Sequence, residues 1–309
     1  MSGKNVTEVR LADAEGIAAA ARILESGGLV AVPTETVYGL AARADSAEAV
    51  ARIYAAKGRP DFNPLIVHVA GLAQAERYAE FSPEARALAA AHWPGPLTMV
   101  LPRRPDAGLA AAVTAGLPTV ALRAPAHPVM QALLEACGFP LAAPSANRSG
   151  FISPTCADHV LASLDGRIDM VLDGGATSAG VESTIVAVRA DGSVEELRPG
   201  PLAVGRLGGG AGIEAPGQLA SHYAPGKPVR LNAEWAEPDE FLIGFGAVGG
   251  DTTLSANGNL AEAASRLYAA LHEAARAPQP RIAVAPVPEE GVGRAINDRL
   301  RRAAAPPDA

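Results

Sequence analysis

From Gly208 to Pro228 the chain loses hydrophobic periodicity and becomes rich in glycine, proline and small residues. A stretch of that kind serves as a connector and forms no regular element. It divides the 309 residues into a leading part, 1–207, and a short trailing part, 229–309, joined by the linker 208–228. A chain of this length accommodates two domains. Hydrophobic residues make up 49% of it, enough to build full cores and to exclude global disorder.

The leading part alternates helices with short apolar strands. Asp13 is placed to cap a helix over 14–25, ended by Gly27-Gly28. A buried strand over 29–32 is stopped by Pro33. Asp45, with Glu48 three residues on, reads as the N-cap of a helix with Ala47, Val50, Ala51 and Tyr54 on one face. Lys57 closes that helix, and Gly58 sits where a terminating glycine belongs. Further strands are expected at 65–69, 97–101, 119–123, 141–143 and 170–172, with helices from Ser82-Pro83 and near 127–137. The segments 183–188 and 194–198 flank Ala190-Asp191-Gly192 as a hairpin. The trailing part reads as a small βαβα unit: a strand at 241–245, a helix capped by Asn259 with Glu262 at its third position, a strand at 282–285 and a final helix from near Gly291.

Several functional classes are argued against. The net charge of −7 speaks against a strongly basic nucleic-acid footprint. The two cysteines, Cys137 and Cys156, form no Cys-x-x-Cys pair, so neither a disulfide framework nor a zinc site is expected. No apolar run approaches the roughly 20 residues of a membrane span. Met1 to Asn5 leads into no apolar signal region, so a soluble, cytoplasmic protein is expected. There is no Gly-x-Ser-x-Gly elbow and no Gly-x-x-x-x-Gly-Lys-Ser/Thr phosphate loop. The glycine run 208–212 lacks an evident strand ahead of it.

What remains is a set of dispersed polar motifs, each following an apolar strand or a helix. Pro33-Thr34-Glu35-Thr36-Val37-Tyr38-Gly39-Leu40 is a polar loop at a strand end, where open α/β sheets bind ligands, or a turn capped by its own hydroxyls. Lys57-Gly58-Arg59-Pro60, with Asn63-Pro64-Leu65 behind it, offers two cations. Lys57 alone is also explained as a helix-dipole partner, whereas Arg59 lies in a rigid loop where a guanidinium forks onto phosphate. His68 lies in an apolar strand. Arg123 ends another and needs an anionic partner, either a protein carboxylate or a ligand's. Pro144-Ser145-Ala146-Asn147, Glu182-Ser183-Thr184 and Leu197-Arg198-Pro199-Gly200 are either ordinary turns or phosphate-binding loops. Without a nucleophile, chemistry here depends on positioning and charge neutralisation, as in nucleotidyl transfer.

In their order along the chain these motifs resemble the YrdC-type family, specifically the longer two-domain threonylcarbamoyl-AMP synthases. The phrase Ser221-His222-Tyr223-Ala224-Pro225-Gly226 resembles the linker of that longer form, although Gly217-Gln218-Leu219-Ala220 stands where many relatives carry basic residues. The resemblance implies a YrdC-like twisted open mixed sheet flanked by helices, plus a small C-terminal Rossmann-like α/β domain. It implies an enzyme that joins L-threonine, bicarbonate and ATP into threonylcarbamoyl-adenylate and pyrophosphate. A separate transferase complex then modifies adenosine 37 of tRNA, which the synthase meets only indirectly. By resemblance Lys57, Arg59, Asn63, Ser145 and Asn147 hold the ATP phosphates and Mg²⁺, with Lys57, Arg59, Ser145 and Asn147 as the catalytic set. Thr119, Ser153, Arg198 and Tyr223 also contact the nucleotide, Tyr223 as part of a lid. Thr36, His68, Arg123, Ala143 and Ser183 hold the threonine, with Arg123 on its carboxylate. Mg²⁺ arrives with ATP, without a cluster of protein carboxylates. The competing readings are an RNA-binding module and a carbamoyl-transfer enzyme using carbamoyl phosphate.

Overall fold

A computed structural model describes residues 6–207, 214–216 and 221–306. The glycine run 208–212, the segment 217–220 and residues 1–5 lie outside the described residues, so the readings made of them stay with the sequence.

β1 (Glu8–Leu11) leads into α1 (Ala14–Glu25), whose first turn is capped by Asp13 accepting from the Gly16 amide. β2 (Val30–Val32) is followed by β3 (Gly39–Arg43), which takes Gly39 and Leu40 out of the loop expected after Pro33. α2 (Ala47–Lys57) is capped by Ser46, accepting from the Ala49 amide, and not by Asp45. Asp45 is drawn into a two-pronged pair with Arg43, which leaves the cap to the serine one residue on. Then come β4 (Ile66–His68), α3 (Leu72–Ala75), α4 (Pro83–His92), β5 (Leu97–Pro102), α5 (Ala111–Thr114) and β6 (Thr119–Arg123). α6 (Pro128–Cys137), β7 (Leu141–Ala142), α7 (Ala157–Leu164) and β8 (Met170–Asp173) lead to the antiparallel pair β9 (Thr184–Val188) and β10 (Val194–Arg198). β11 (Arg206–Leu207) sets a two-residue strand just ahead of the glycine run, where the sequence had suggested none.

These strands form one mixed sheet in the order β1-β8-β2-β3-β7-β4-β6-β5-β9-β10-β11. Alternate residues of a strand face opposite sides. Ala31, Leu40 and Val171 therefore pack with α2 and α7 in one core, while Val30, Ala41 and Met170 pack with α1 and α6 in another. The polar strand-end loops collect where 34–37, 59–65, 143–147 and 182–183 converge.

The trailing part folds as β12 (Val229–Arg230), β13 (Glu240–Gly244), β14 (Thr252–Thr253), α8 (Leu260–Arg276), β15 (Arg281–Val284) and α9 (Gly293–Ala304). Its parallel sheet runs β12-β15-β13-β14. The core under α8 and α9 also includes Val37, Ile152, Val181 and Tyr223, so this small unit completes its burial against the leading domain and the linker. Gly180 allows the closest approach: its φ is +70°, and a Cβ there would lie 2.4 Å from the Ala264 carbonyl oxygen of α8. No helix among the described residues is long and apolar enough to cross a membrane.

Candidate functional site

A cleft opens at the converging loops, lined among others by Thr36, Arg59, His68, Arg123, Ser145 and Arg198. Each loop is held by a local device. Gly58 ends α2 in the left-handed conformation (φ 59°), and the Arg59 amide returns to the Tyr54 carbonyl, which turns Arg59 back over the helix end. The 144–147 loop is pinned to β3 and the residue before it through Leu40 N–Pro144 O and Ala146 N–Tyr38 O hydrogen bonds. Gly200 lies so close to the 183–184 peptide that a Cβ there would sit 2.2 Å from the Thr184 nitrogen.

The buried cations fall into two kinds. Lys57, Arg59 and Arg198 are nearly inaccessible, and among the described residues none has a carboxylate within ion-pair distance. The Lys57 ammonium donates to the carbonyls of Ser145 (2.6 Å) and Asn147 (2.5 Å). Arg59 donates to Asn63 Oδ1 (2.7 Å) and the Pro64 carbonyl (2.8 Å). Arg198 donates to the Ser183 carbonyl and to Ser183 Oγ (3.1 Å). Burial pushes all three below their usual range: Lys57 far down, Arg59 to about 10, and Arg198 downward. Burying charge without a counter-ion is costly, and these three cations have only neutral oxygens around them.

Arg123 is different. Its Nη2 meets Glu35 Oε1 at 2.6 Å, its Nη1 donates to Thr36 Oγ1 at 2.9 Å and its Nε to the Gly95 carbonyl at 3.3 Å. The anion that the sequence required is thus supplied by the protein, and a guanidinium's five donors still leave one N–H on each terminal nitrogen. His68, paired in register with Arg123 across β4 and β6, is 3% exposed with no partner at Nδ1. Burial, and then the Arg123 charge, hold it neutral, with a pKa of about 3. Thr34 fulfils the turn reading, bonding the Val37 carbonyl, while Thr36 faces Arg123.

Of the residues singled out from sequence, Thr36, Arg59, His68, Arg123, Ala143, Ser145, Ser183, Arg198 and Tyr223 line the cleft. Lys57, Asn63 and Asn147 stand behind it: Lys57 donates to the Ser145 carbonyl, Asn63 accepts from Arg59, the Asn147 amide donates to the Ser145 carbonyl, and Ser153 is tied in through Glu182. Thr119 starts β6 opposite Pro102 and is not among the lining residues. Residues to which the sequence reading gave no role also appear: Glu35, the lining pair Glu182 and His222, and, behind Glu182, Tyr268 and Arg299. Arg299 was detectable, because it falls on the same face of its helix as Ala295, Ile296, Leu300 and Ala303, an arginine inside an apolar stripe. Buried polar atoms without partners concentrate here: Glu35 Oε2, His68 Nδ1, Asn147 Oδ1, His222 Nδ1 and Arg299 Nη2. Native proteins leave few such atoms, and four others lie away from the cleft, on Arg103, Thr177, Gln279 and Arg281. Tyr223 closes one side of the cleft in a left-handed conformation (φ 62°), the kind of strain found at functional sites.

The buried histidines make stability depend on pH. Burial holds His68 and His222 near 3, below the usual 6.5. The unfolded chain therefore binds the extra protons between those values, and stability is full above about pH 6.5 and falls as the pH drops toward 3. Each costs about 2 kcal/mol at pH 5. Urea unfolding at pH 7 and pH 5 checks this, and equal midpoints would contradict it.

A sequence profile described as telomere recombination, of the Sua5, YciO and YrdC proteins, matches residues 22–200. The chain belongs to the Sua5/YciO/YrdC family. A second profile, described as the C-terminal domain of threonylcarbamoyl-AMP synthase, matches residues 192–305. Within the family the chain is 42% identical to the threonylcarbamoyl-AMP synthase of Bacillus subtilis, over 93% of its own length and 92% of the relative's. The crystal structure of Pyrococcus abyssi Sua5 complexed with L-threonine superposes with a TM-score of 0.87 at 37% identity, covering 97% of each chain. HypF of T. kodakarensis, at 19% identity and a TM-score of 0.54, shares the fold over 60% of this chain and 24% of its own.

Proposed function

We propose that the cleft condenses L-threonine, bicarbonate and ATP into threonylcarbamoyl-AMP and pyrophosphate, a nucleotidyl transfer. The observation that carries this is the division of its buried cations. Three without carboxylates suit a triphosphate, and the carboxylate-paired Arg123 beside neutral His68 suits a small amino acid. Likeness to the Bacillus subtilis and Pyrococcus abyssi synthases supports the same reading.

Threonine's carboxylate takes the two spare N–H groups of Arg123, which Glu35, Thr36 and Gly95 hold in one orientation. Its hydroxyl lies toward Nδ1 of His68, which adds no charge that would compete with Arg123. Once the ammonium has lost its proton, the amine attacks the carbon of bicarbonate and water leaves, giving a carbamate. A carbamate oxygen then attacks the α-phosphorus, and the bond to the β-phosphate oxygen breaks with its electron pair on pyrophosphate. Arg59 and Arg198, with the Lys57 ammonium behind them on the Ser145 and Asn147 carbonyls, stabilise the charge that builds on the phosphates. The His222-Tyr223 wall shields the carbamate from water.

Mg²⁺ bound to ATP is held mainly by phosphates and water, so it needs few protein oxygens. The unpartnered Asn147 Oδ1 is one, and Ser145 beside it is another. When bound, the ion neutralises phosphate charge. The anhydride product is an activated donor, whose threonylcarbamoyl group a separate transferase moves to adenosine 37 of tRNA as AMP leaves.

With ¹³C-bicarbonate, the nucleotide product should carry the label in its carbamoyl carbon and release it as CO₂ on hydrolysis. Unlabelled AMP as the only nucleotide product would contradict the reading.

A further inference from the structure

The chemistry above makes no use of Glu182, although its carboxylate lines the same cleft as Arg59 and Arg198. Glu182 lines the cleft next to Ser183, whose carbonyl and hydroxyl hold Arg198. Yet Glu182 and Arg198 form no ion pair. Both carboxylate oxygens are occupied from the other side. Oε1 accepts from Ser153 Oγ (2.6 Å), Oε2 from Arg299 Nε (3.1 Å), and the Tyr268 hydroxyl reaches both. Arg299 comes from α9 and Tyr268 from α8, and each is fully buried. Arg299 is anchored in turn by the Pro199 carbonyl, one residue from Arg198, and by Asp298.

We propose that Arg299, supplied by the trailing domain, is a positioning residue of the nucleotide site: it is the counter-charge that keeps Glu182 from capturing Arg198. The inference rests on the nucleotide reading above and gives the trailing domain a part in it. Burial alone would raise the Glu182 carboxyl. The Arg299 guanidinium, then that of Arg198 and the hydroxyls of Ser153 and Tyr268, hold it near 2, so it stays charged. A buried carboxylate deprived of its partner turns to the next cation. Without Arg299 that cation is Arg198, which would be drawn off Ser183 and neutralised, while Ser153 Oγ loses its fixed acceptor. The phosphate triad would then lose one of its three charges without any change to Lys57 or Arg59.

Calorimetric binding of Mg·ATP to the full chain tests this. Arg299→Met should weaken Mg·ATP by about tenfold or more, within the usual range of coupling between sites. Threonine affinity should change far less. The decisive variant is Arg299→Met combined with Glu182→Gln. Removing the stranded charge should restore Mg·ATP affinity to within about threefold of wild type, since the two effects are not additive. Wild-type affinity in the single variant would overturn the inference. So would a double variant as weak as the single one, because Arg299 would then serve packing only. If Arg299→Met does not fold, Glu182→Gln alone decides: it should bind Mg·ATP at least as tightly as wild type, and weaker binding overturns the inference. Wild-type protein that fails to bind Mg·ATP would instead strike the nucleotide reading itself.

Discussion

Arg59→Met should lower kcat/KM for Mg·ATP by about 10²–10³-fold, the usual cost of removing one preorganised charge from a transition state. The fold should not weaken with it. Arg59 is buried among Asn63, Pro64 and Tyr54, without a carboxylate partner, and burial has already lowered its pKa to about 10. Methionine keeps much of the volume and removes an uncompensated charge, so the urea midpoint should stay level or rise. Activity and stability then move independently, as expected where stability is given up for function. Pyrophosphate release and urea unfolding on the same preparation check both halves. Turnover within a few-fold of wild type would remove Arg59 from the phosphate clamp.

Arg123→Met should behave in the opposite way. Arg123 is 4% exposed and the side chain of its partner Glu35 is 14% exposed, so the substitution leaves a largely enclosed carboxylate alone. Breaking such a pair from one side costs about 3–5 kcal/mol. Threonine saturation should be lost as well, because the fork for its carboxylate is gone. Adding Glu35→Gln should return most of the stability and none of the threonine dependence. Unfolding midpoints of the single and double variants, with threonine titrations of pyrophosphate release, separate the two effects. A double variant that regains threonine saturation would show that the carboxylate binds elsewhere.

The contrast between these arginines explains what the sequence disclosed. The motifs carried by rigid turns were legible: Gly58 and Pro60 fix Arg59, and the strand-end placement of Arg123 demanded an anion. Strands with strong apolar runs, such as β5 and β6, were read to within one residue. β1 was missed because its four residues are all exposed and carry little pattern, and β14 because it is two threonines long. The Ser46 cap was hidden because only the fold shows that Asp45 is held by Arg43. Glu35 stood inside a quoted motif, but its pairing spans 88 residues, and Arg299 reaches Glu182 across 117. Pairings that distant are set by tertiary packing, and local periodicity does not encode them. Even so, Arg299 and Tyr268 sit on apolar helix faces, a conflict between residue type and position that points to a buried polar network.

On the reading proposed, one cleft couples threonine and bicarbonate to the α-phosphate of ATP. Pyrophosphate release from Mg·ATP, with threonine and bicarbonate each omitted in turn, tests it most directly. Release should require both. Release that is indifferent to threonine, from a folded protein, would contradict it.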